Sequence, residues 1–180
     1  MERLATLHID KEAHKFSVAH YTIFSATERE RLHGHNYSVS AMIAAPMGEN
    51  GFAADYNVYK RRIKALCDEL DEYLILPEHS PHQTVEKDGD NYRVRFNGEE
   101  MHFLRSDTRV LPISNATVEE FAHYLLARML EESRGEALAE LELYVSSGPG
   151  QKASARYTAM DEALAASTQP TAGACNEQGS

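Results

Sequence analysis

The sequence has little that would support a disulfide framework, a membrane span or a nucleic-acid interface. Only two of its 180 residues are cysteines, Cys67 and Cys175, and they lie far apart along the chain. No apolar run approaches the roughly 20 residues that a membrane span requires, and the first residues lack the apolar stretch of a signal peptide. The 18 Lys and Arg against 28 Asp and Glu give a net charge of −10, which would repel nucleic-acid phosphates. We therefore expect a cytoplasmic enzyme or binding domain with no nucleic-acid or membrane partner.

The composition predicts one folded domain followed by a tail. A content of 42% hydrophobic and 26% charged residues is typical of a globular chain that can bury a sizeable core. From Ala165 onward no large apolar residue occurs, so burial cannot offset the entropy lost on ordering. We predict a domain at residues 1–160 and a disordered C-terminal tail at 161–180, with Cys175 as a bystander.

Two strands and a loop are predicted near the N-terminus. Residues 15–20 alternate with a period of two, and residues 35–44 are rich in β-formers. Residues 25–31 between them are polar and predict a loop, so the two strands are most simply antiparallel neighbours.

Two helices are predicted further along the chain. Residues 57–73 carry apolar side chains at spacings of three and four, and Cys67 belongs to this stripe. A second helix starts at Thr117, where a capping box would bring the Glu120 side chain back to the cap, and Gly135 is a plausible stop. Both helices therefore have one apolar face for a core.

Further strands complete the predicted α+β fold. Residues 141–145 alternate as a half-buried strand, and a short strand follows at 153–157. Residues 91–96 and 100–103 flank Asn97-Gly98, a strong hairpin signal, within an insertion at about 84–104. We predict a four-stranded antiparallel sheet covered on one face by two helices.

The histidines indicate a metal site. His33 and His35 point to the same side of an extended chain, about 6.5–7 Å apart, and two such imidazoles can bind one zinc ion. His20, at the end of the preceding strand, can supply a third ligand, which leaves one coordination position open for chemistry. A bare His-x-His also occurs by chance. A cupin would need a carboxylate a few residues later, and residues 36–41 contain none.

The order of these motifs resembles the 6-pyruvoyl-tetrahydropterin synthase family, which includes the 6-carboxy-tetrahydropterin synthases of queuosine biosynthesis. The resemblance covers roughly residues 4–160 and rests on Phe16-Ser17-Val18-Ala19-His20, Leu32-His33-Gly34-His35-Asn36-Tyr37, Asp55 before a helix, Leu70-Asp71 and Thr117-x-Glu119. It implies the tunnelling fold, in which trimers close a barrel and two trimers stack into a hexamer. It also implies a zinc ion held by His20, His33 and His35.

The sequence departs from the family at the catalytic base. Usual members carry a cysteine a few residues before the His-x-His motif, whereas residues 27–32 contain none. A recognised subgroup has a glutamate three residues before the first histidine, which is the position of Glu30. A carboxylate beside zinc can take the proton of a polarised hydroxyl. The alternative is that Glu30 is one charge of a solvated loop.

The family also pairs its base with an Asp-His dyad, of which only the aspartate is present. Asp71 is followed by Glu72, so Asp71 is either an orienting carboxylate or a charge at a helix end. His79 and His82 lie just downstream. They either replace the lost imidazole or are exposed loop residues.

Substrate anchoring differs as well. Many members have a glutamate in the last long strand that binds the pterin 2-amino group and N3, and this sequence has Ser147 in that region. Serine can bond a pterin edge but offers no bidentate carboxylate. Glu119, with Thr117 of the same motif, is the best remaining candidate for the pterin edge. The alternative for Glu119 is a first-turn acid favoured by the helix dipole.

The resemblance implies a zinc-dependent lyase acting on the side chain of 7,8-dihydroneopterin or its triphosphate. With glutamate in place of cysteine, analogy with the subgroup favours an aldolase-like cleavage to 6-hydroxymethyl-dihydropterin. The alternative is a non-catalytic zinc-bearing protein that binds pterins or purines, or acts as a scaffold, with a decayed active site. Retention of all three zinc ligands and of Glu30 favours the enzyme.

Overall fold

Residues 3–161 are described by the computed structural model and form nine strands, two α-helices and a short 3-10 helix. In chain order the elements are β1 Leu4–His20, β2 His33–Pro46, α1 Tyr56–Leu70, β3 Tyr73–Pro77, β4 Gln83–Asp88, β5 Asn91–Phe96, β6 Glu99–Leu104, the 3-10 helix Arg105–Asp107, β7 Thr108–Leu111, α2 Val118–Glu132, β8 Glu140–Gly148 and β9 Gln151–Thr158. None of the helices in this range is long and apolar enough to cross a membrane.

The central sheet has six strands in the order β7-β3-β1-β2-β8-β9. Strands β1, β2, β8 and β9 pair antiparallel, as the sequence predicts. Strands β3 and β7 extend the sheet beyond β1 in parallel pairing. The α+β class is confirmed, but the sheet is mixed and has two strands more than the four expected.

The two helices pack against the central sheet and form the main core. The predicted stripe of α1, including the fully buried Cys67, and the stripe of α2 both belong to one buried cluster. The sheet contributes alternate residues of β1, β2 and β8 to the same cluster, among them Phe16, Val39, Ile43, Leu141 and Leu143. Burial of these aliphatic and aromatic side chains is the main stabilising contribution to the fold.

Helix α1 ends three residues earlier than the sequence pattern predicts. The Asp71 backbone is extended and its N–H bonds to the carbonyl of Cys67, while Glu72 has a left-handed φ of 64°. Tyr73–Pro77 then continues as β3, whose last four residues are all buried. The short apolar run after the helix is a strand because it lies between β1 and β7 and pairs with both.

The start of α2 confirms half of the predicted capping box. The Thr117 side chain accepts a hydrogen bond from the Glu120 N–H, as expected. The Glu120 carboxylate does not return to Thr117 but accepts from the N–H of Ser114 at 2.8 Å. Glu120 therefore fixes the segment that precedes the helix.

The insertion is a three-stranded antiparallel sheet, β4-β5-β6, and not a lone hairpin. Asn97 and Gly98 both have positive φ, 47° and 77°, which matches the expected tight turn. Strand β4 was not expected, because its sequence is polar and largely exposed. Of the predicted tail, only Asp161 is among the described residues; the rest, with Cys175, lies outside them.

We expect Phe121→Ala to destabilise the fold by about 3–5 kcal/mol, the usual cost of removing a buried aromatic ring. Phe121 is fully buried in α2, and its ring contacts those of Phe16 and Tyr37 at centroid distances of 5.8 and 5.1 Å. Denaturant unfolding measures the loss. His123→Ala on the exposed side of the same helix should change stability little, and equal losses for the two variants would contradict this packing.

Candidate metal centre and active site

Strand register brings three histidines together at one end of the sheet. His20, the last residue of β1, is the register partner of His33, the first residue of β2. His35 follows on the same face of β2. One nitrogen from each ring lies within 4.8 Å of the other two, and the ring centroids are 4.7 to 5.3 Å apart. Within residues 3–161 no other group of three or more His, Cys, Asp or Glu side chains converges in a way that could hold a metal ion.

Backbone carbonyls fix two of the imidazoles in a tautomer suited to a metal. His20 Nδ1 lies 2.8 Å from the carbonyl oxygen of Ala116, and His33 Nδ1 lies 2.8 Å from that of Arg31. Because a carbonyl can only accept, both Nδ1 atoms donate, and in the neutral rings each Nε2 keeps its lone pair. Such outer hydrogen bonds orient metal-binding histidines in general. The donor set therefore fits a divalent metal ion of the zinc type.

Burial also favours the neutral form of His20. The ring is 4% exposed, and desolvation, reinforced by the neighbouring His33 and His35, lowers the pKa of His20 below its ordinary value. A neutral imidazole is the form that binds a metal. His33 and His35 are only partly buried, so the cluster is open to solvent on their side.

Tyr37 lies next to His20 and His35 on the buried side of the cluster. It follows His35 on the same face of β2 and is buried between Phe16 and Phe121. Its hydroxyl donates to His20 Nε2 at 3.1 Å, a hydrogen bond that a metal ion at this nitrogen would replace. Desolvation raises the pKa of Tyr37, so its hydroxyl stays protonated. The sequence reasoning missed this residue, although the period of two that groups His33 with His35 extends to position 37.

Glu30 lies at the edge of the cluster. Its Oε2 is 3.9 Å from His33 Nε2 and accepts the N–H of Thr22 at 2.9 Å. Partial desolvation alone would raise the pKa of Glu30, but the hydrogen bonds from Thr22 and the nearby histidines outweigh it and the pKa is lowered. The carboxylate is therefore ionised at neutral pH, as a proton acceptor must be.

The loop that carries Glu30 is closed by backbone pairing. Glu30 N–H bonds to the Thr22 carbonyl at 2.9 Å, and Ile23 forms a β-bridge with Arg29. The Asn115 side chain accepts from Ile23 N–H at 3.0 Å and donates to the Ile23 carbonyl at 2.7 Å. The segment before α2 thus holds this loop through Asn115 as well as orienting His20.

Asp71 is fixed to β1 and not to the histidines. Its Oδ1 accepts the N–H of Ser17 at 2.6 Å. Among the described residues no hydrogen bond or ion pair joins Asp71 to Glu30 or to the three histidines. Its predicted orienting role would therefore act through β1, three residues before His20.

Among the described residues, no hydrogen bond or ion pair joins the other candidates to the three histidines. Thr117 caps α2 directly after Ala116, and Glu119 is exposed in the first turn. Ser147 lies at the end of β8, at the same end of the sheet as the histidines, and its hydroxyl bonds to the Gln151 side chain at 3.3 Å. His79 and His82 are exposed, and His79 faces Glu78 at 4.0 Å. Neither belongs to the histidine cluster within residues 3–161.

The fold and the site define an α+β protein with an open three-histidine centre. The sequence profile of the family described as 6-pyruvoyl tetrahydropterin synthase matches residues 8–158. The chain therefore belongs to the 6-pyruvoyl tetrahydropterin synthase family, as the sequence motifs indicate. Its members are lyases of pterin synthesis that use a metal, and the three histidines could hold one.

Several relatives are similar over most of the chain. A protein of Methanocaldococcus jannaschii, named provisionally as a 6-carboxy-5,6,7,8-tetrahydropterin synthase, is 28% identical over 143 residues, which cover 77% of this chain and 87% of that protein. The 6-pyruvoyl tetrahydropterin synthase of Plasmodium vivax superposes with a TM-score of 0.81 at 28% identity and covers 87% of this chain and 99% of its own. The Plasmodium falciparum enzyme gives 0.80 at 28% identity, over 86% and 98% of the two chains.

Two further structures of the P. vivax enzyme are variants of a glutamate that is described as a catalytic residue. In one of them the glutamate is replaced by cysteine, and in the other by alanine. Both superpose with a TM-score of 0.81 at 28% identity.

When the protein is loaded with zinc, His33→Ala should hold much less of the metal than the wild type, because two imidazoles remain where three converge. Elemental analysis of the purified full-length variant measures the metal per chain. His123→Ala, an exposed histidine outside the cluster, is the matched control and should keep the wild-type content. Full zinc occupancy in His33→Ala would contradict the three-histidine site.

Proposed function

We propose that this chain is a zinc-dependent lyase that acts on the side chain of 7,8-dihydroneopterin or its triphosphate in pterin, folate or queuosine-type biosynthesis. The observation that supports it most is the convergence of His20, His33 and His35 with an ionised Glu30 at 3.9 Å from His33. A metal centre with an open position beside a proton acceptor suits the breaking of a bond next to a hydroxyl.

The proposed chemistry divides between the metal and Glu30. A bound zinc ion would supply Lewis acidity at a side-chain hydroxyl of the substrate. Glu30 takes the proton of the hydroxyl on the second side-chain carbon, and the bond between the first and second carbons breaks. A proton returns to the first carbon, so the products are 6-hydroxymethyl-dihydropterin and a two-carbon aldehyde. The hydrogen bond from the Thr22 N–H to Glu30 Oε2 would keep the carboxylate in position for this proton transfer.

The relatives support a glutamate in this role. The P. vivax enzyme has a glutamate described as a catalytic residue, and Glu30 is the one carboxylate that pairs with a histidine of the cluster within residues 3–161. Glu30 thus takes the part that cysteine has in the usual members of the family. Asp71, held on β1 by the Ser17 N–H, is the proposed orienting carboxylate.

The substrate ring would bind beside the cluster. Thr117 and Glu119 begin α2 directly after the carbonyl that orients His20, and Ser147 lies at the same end of the sheet. Glu119 is exposed and offers a bidentate carboxylate to the 2-amino group and N3 of a pterin. Ser147 offers a single hydroxyl to the ring edge.

We expect a trimer or a hexamer, with the hexamer favoured, so light scattering should give about three or six times the chain mass of 20.2 kDa. Strands β7 and β9 are the two edges of the central sheet, and edge strands of this kind pair with neighbouring chains unless they are covered. Closure of several sheets into a barrel would cover both edges. A monomeric mass at micromolar concentration would contradict the assembly.

Glu30→Gln should lower turnover of the pterin substrate by roughly 100-fold or more, the usual scale for losing a general base. The amide keeps the shape of the side chain but cannot accept the proton, so zinc content and substrate affinity should change little. Turnover is measured by incubating the zinc-loaded protein with 7,8-dihydroneopterin and its triphosphate and identifying products by mass.

Glu28→Gln is the matched control, because Glu28 is an exposed carboxylate of the same loop. It should keep turnover close to that of the wild type. Equal losses at both positions would mean that loop charge, and not a positioned base, matters. A wild-type protein that binds zinc and pterin without turning it over would favour the non-catalytic binding or scaffold protein instead.

A further inference from the structure

The inserted sheet β4-β5-β6 packs against the segment that links His20 to Glu30. Val94 and Phe96 of β5 form a second buried cluster with Tyr21 and Ile23, apart from the main core. The loop that carries the candidate base therefore rests on the insertion and not only on the helices. The position of this loop relative to the histidines depends on that contact.

Tyr21 is the first point of attachment. It follows His20 directly, is 1% exposed, and its hydroxyl donates to Gln83 Oε1 at 2.9 Å. Gln83 is the first residue of β4, and its amide donates in turn to the Pro77 carbonyl at 3.1 Å.

Arg29 is the second point of attachment. Its guanidinium carbon lies 5.0 Å from the ring centroid of Tyr21 and 5.6 Å from that of Phe96, so the cation contacts two aromatic rings. Nη2 lies 3.4 Å from Met101 Sδ and 3.8 Å from a carboxylate oxygen of Glu99, both on β6. With 19% of its side chain exposed, Arg29 is part of the interface between loop and insertion.

The same guanidinium reaches the backbone of the candidate base. Arg29 Nη1 donates to the Glu30 carbonyl at 2.8 Å. The Glu30 N–H and carboxylate are both bonded to Thr22, so main chain and side chain of Glu30 are fixed together. A shift of Arg29 on the insertion would therefore move Glu30 relative to His33.

We propose that Arg29 is a positioning residue: it joins the Glu30 loop to the inserted sheet, and the insertion thereby sets the place of the base beside the metal centre. The role assigned to Glu30 in this statement rests on the proposed function. Arginine suits the task because its planar fork donates in several directions while its faces contact aromatic rings, which lysine cannot reproduce. A misplacement of about 1 Å in an active site can lower the rate by 100-fold.

The test compares Arg29→Met with the wild type in the zinc-loaded full-length protein. Methionine keeps an unbranched apolar chain between the two rings but has no donor for the Glu30 carbonyl. We expect kcat for the pterin substrate to fall by about 10-fold or more with KM within about twofold, because geometry and not binding is lost. Zinc content should be unchanged.

Hydrogen–deuterium exchange of residues 22–30 gives a readout that does not depend on turnover. The amides of Thr22 and Glu30 close the loop, so both should exchange about 10-fold faster or more in Arg29→Met if local opening becomes easier. Arg95→Met is the matched control. Arg95 is also an arginine of this region, but it pairs with Glu86 and Glu100 on the exposed side of β5 and should change neither kcat nor exchange.

Several outcomes would overturn the inference. If Arg29→Met keeps the wild-type kcat and the wild-type exchange rates, Arg29 does not position the loop. If the variant loses zinc together with kcat, the whole site has unfolded, and a positioning role for Arg29 is likewise contradicted. If Arg29→Met does not fold, Arg29→Lys takes its place, with a smaller loss of kcat and a smaller rise in exchange expected. A wild-type protein without turnover would contradict the proposed function, while the exchange comparison would still decide whether Arg29 holds the loop.

Discussion

The candidate site depends on the antiparallel register of β1 and β2. Because His20 ends one strand and His33 begins its partner, the pairing alone places the two rings side by side, and alternation along β2 adds His35. A slip of one residue would turn the histidines of β2 to the other face of the sheet. The aromatic residues Phe16 and Tyr37 are register partners on the same two strands, four residues along from His20 and His33. Their burial stabilises this register.

The His20 ring and the loop that carries Glu30, the candidate base, are held by elements that are distant in sequence. The carbonyl of Ala116 fixes His20, and Asn115 beside it holds Ile23 in the loop. The insertion contacts the same loop through Tyr21 and Arg29. Two separate parts of the chain thus converge on the segment between His20 and Glu30, so a stable fold and a precise site arise from the same contacts.

Local sequence patterns predicted the first two strands, the histidine cluster and the buried faces of the helices. Periodicity of two and the motif order indicated β1, β2 and the histidine cluster, and helical spacing indicated the buried stripe that includes Cys67. The sequence does not predict strand β3, because five residues are too few to show a strand periodicity after a helix. Its parallel pairing with β1 is a tertiary contact that no local pattern records. Two other contacts likewise arise only when distant segments meet: the hydrogen bond of His20 to the Ala116 carbonyl and the packing of Arg29 against Phe96 of the insertion.

A metal centre built from His20, His33 and His35 can be tested with the zinc-edge X-ray absorption spectrum of the full chain loaded with zinc. We expect three imidazole nitrogens at about 2.0–2.1 Å and one further light scatterer, with no sulfur. A sulfur shell at about 2.3 Å would contradict the three-histidine site, which contains no cysteine. A spectrum with fewer than three imidazoles would contradict it as well.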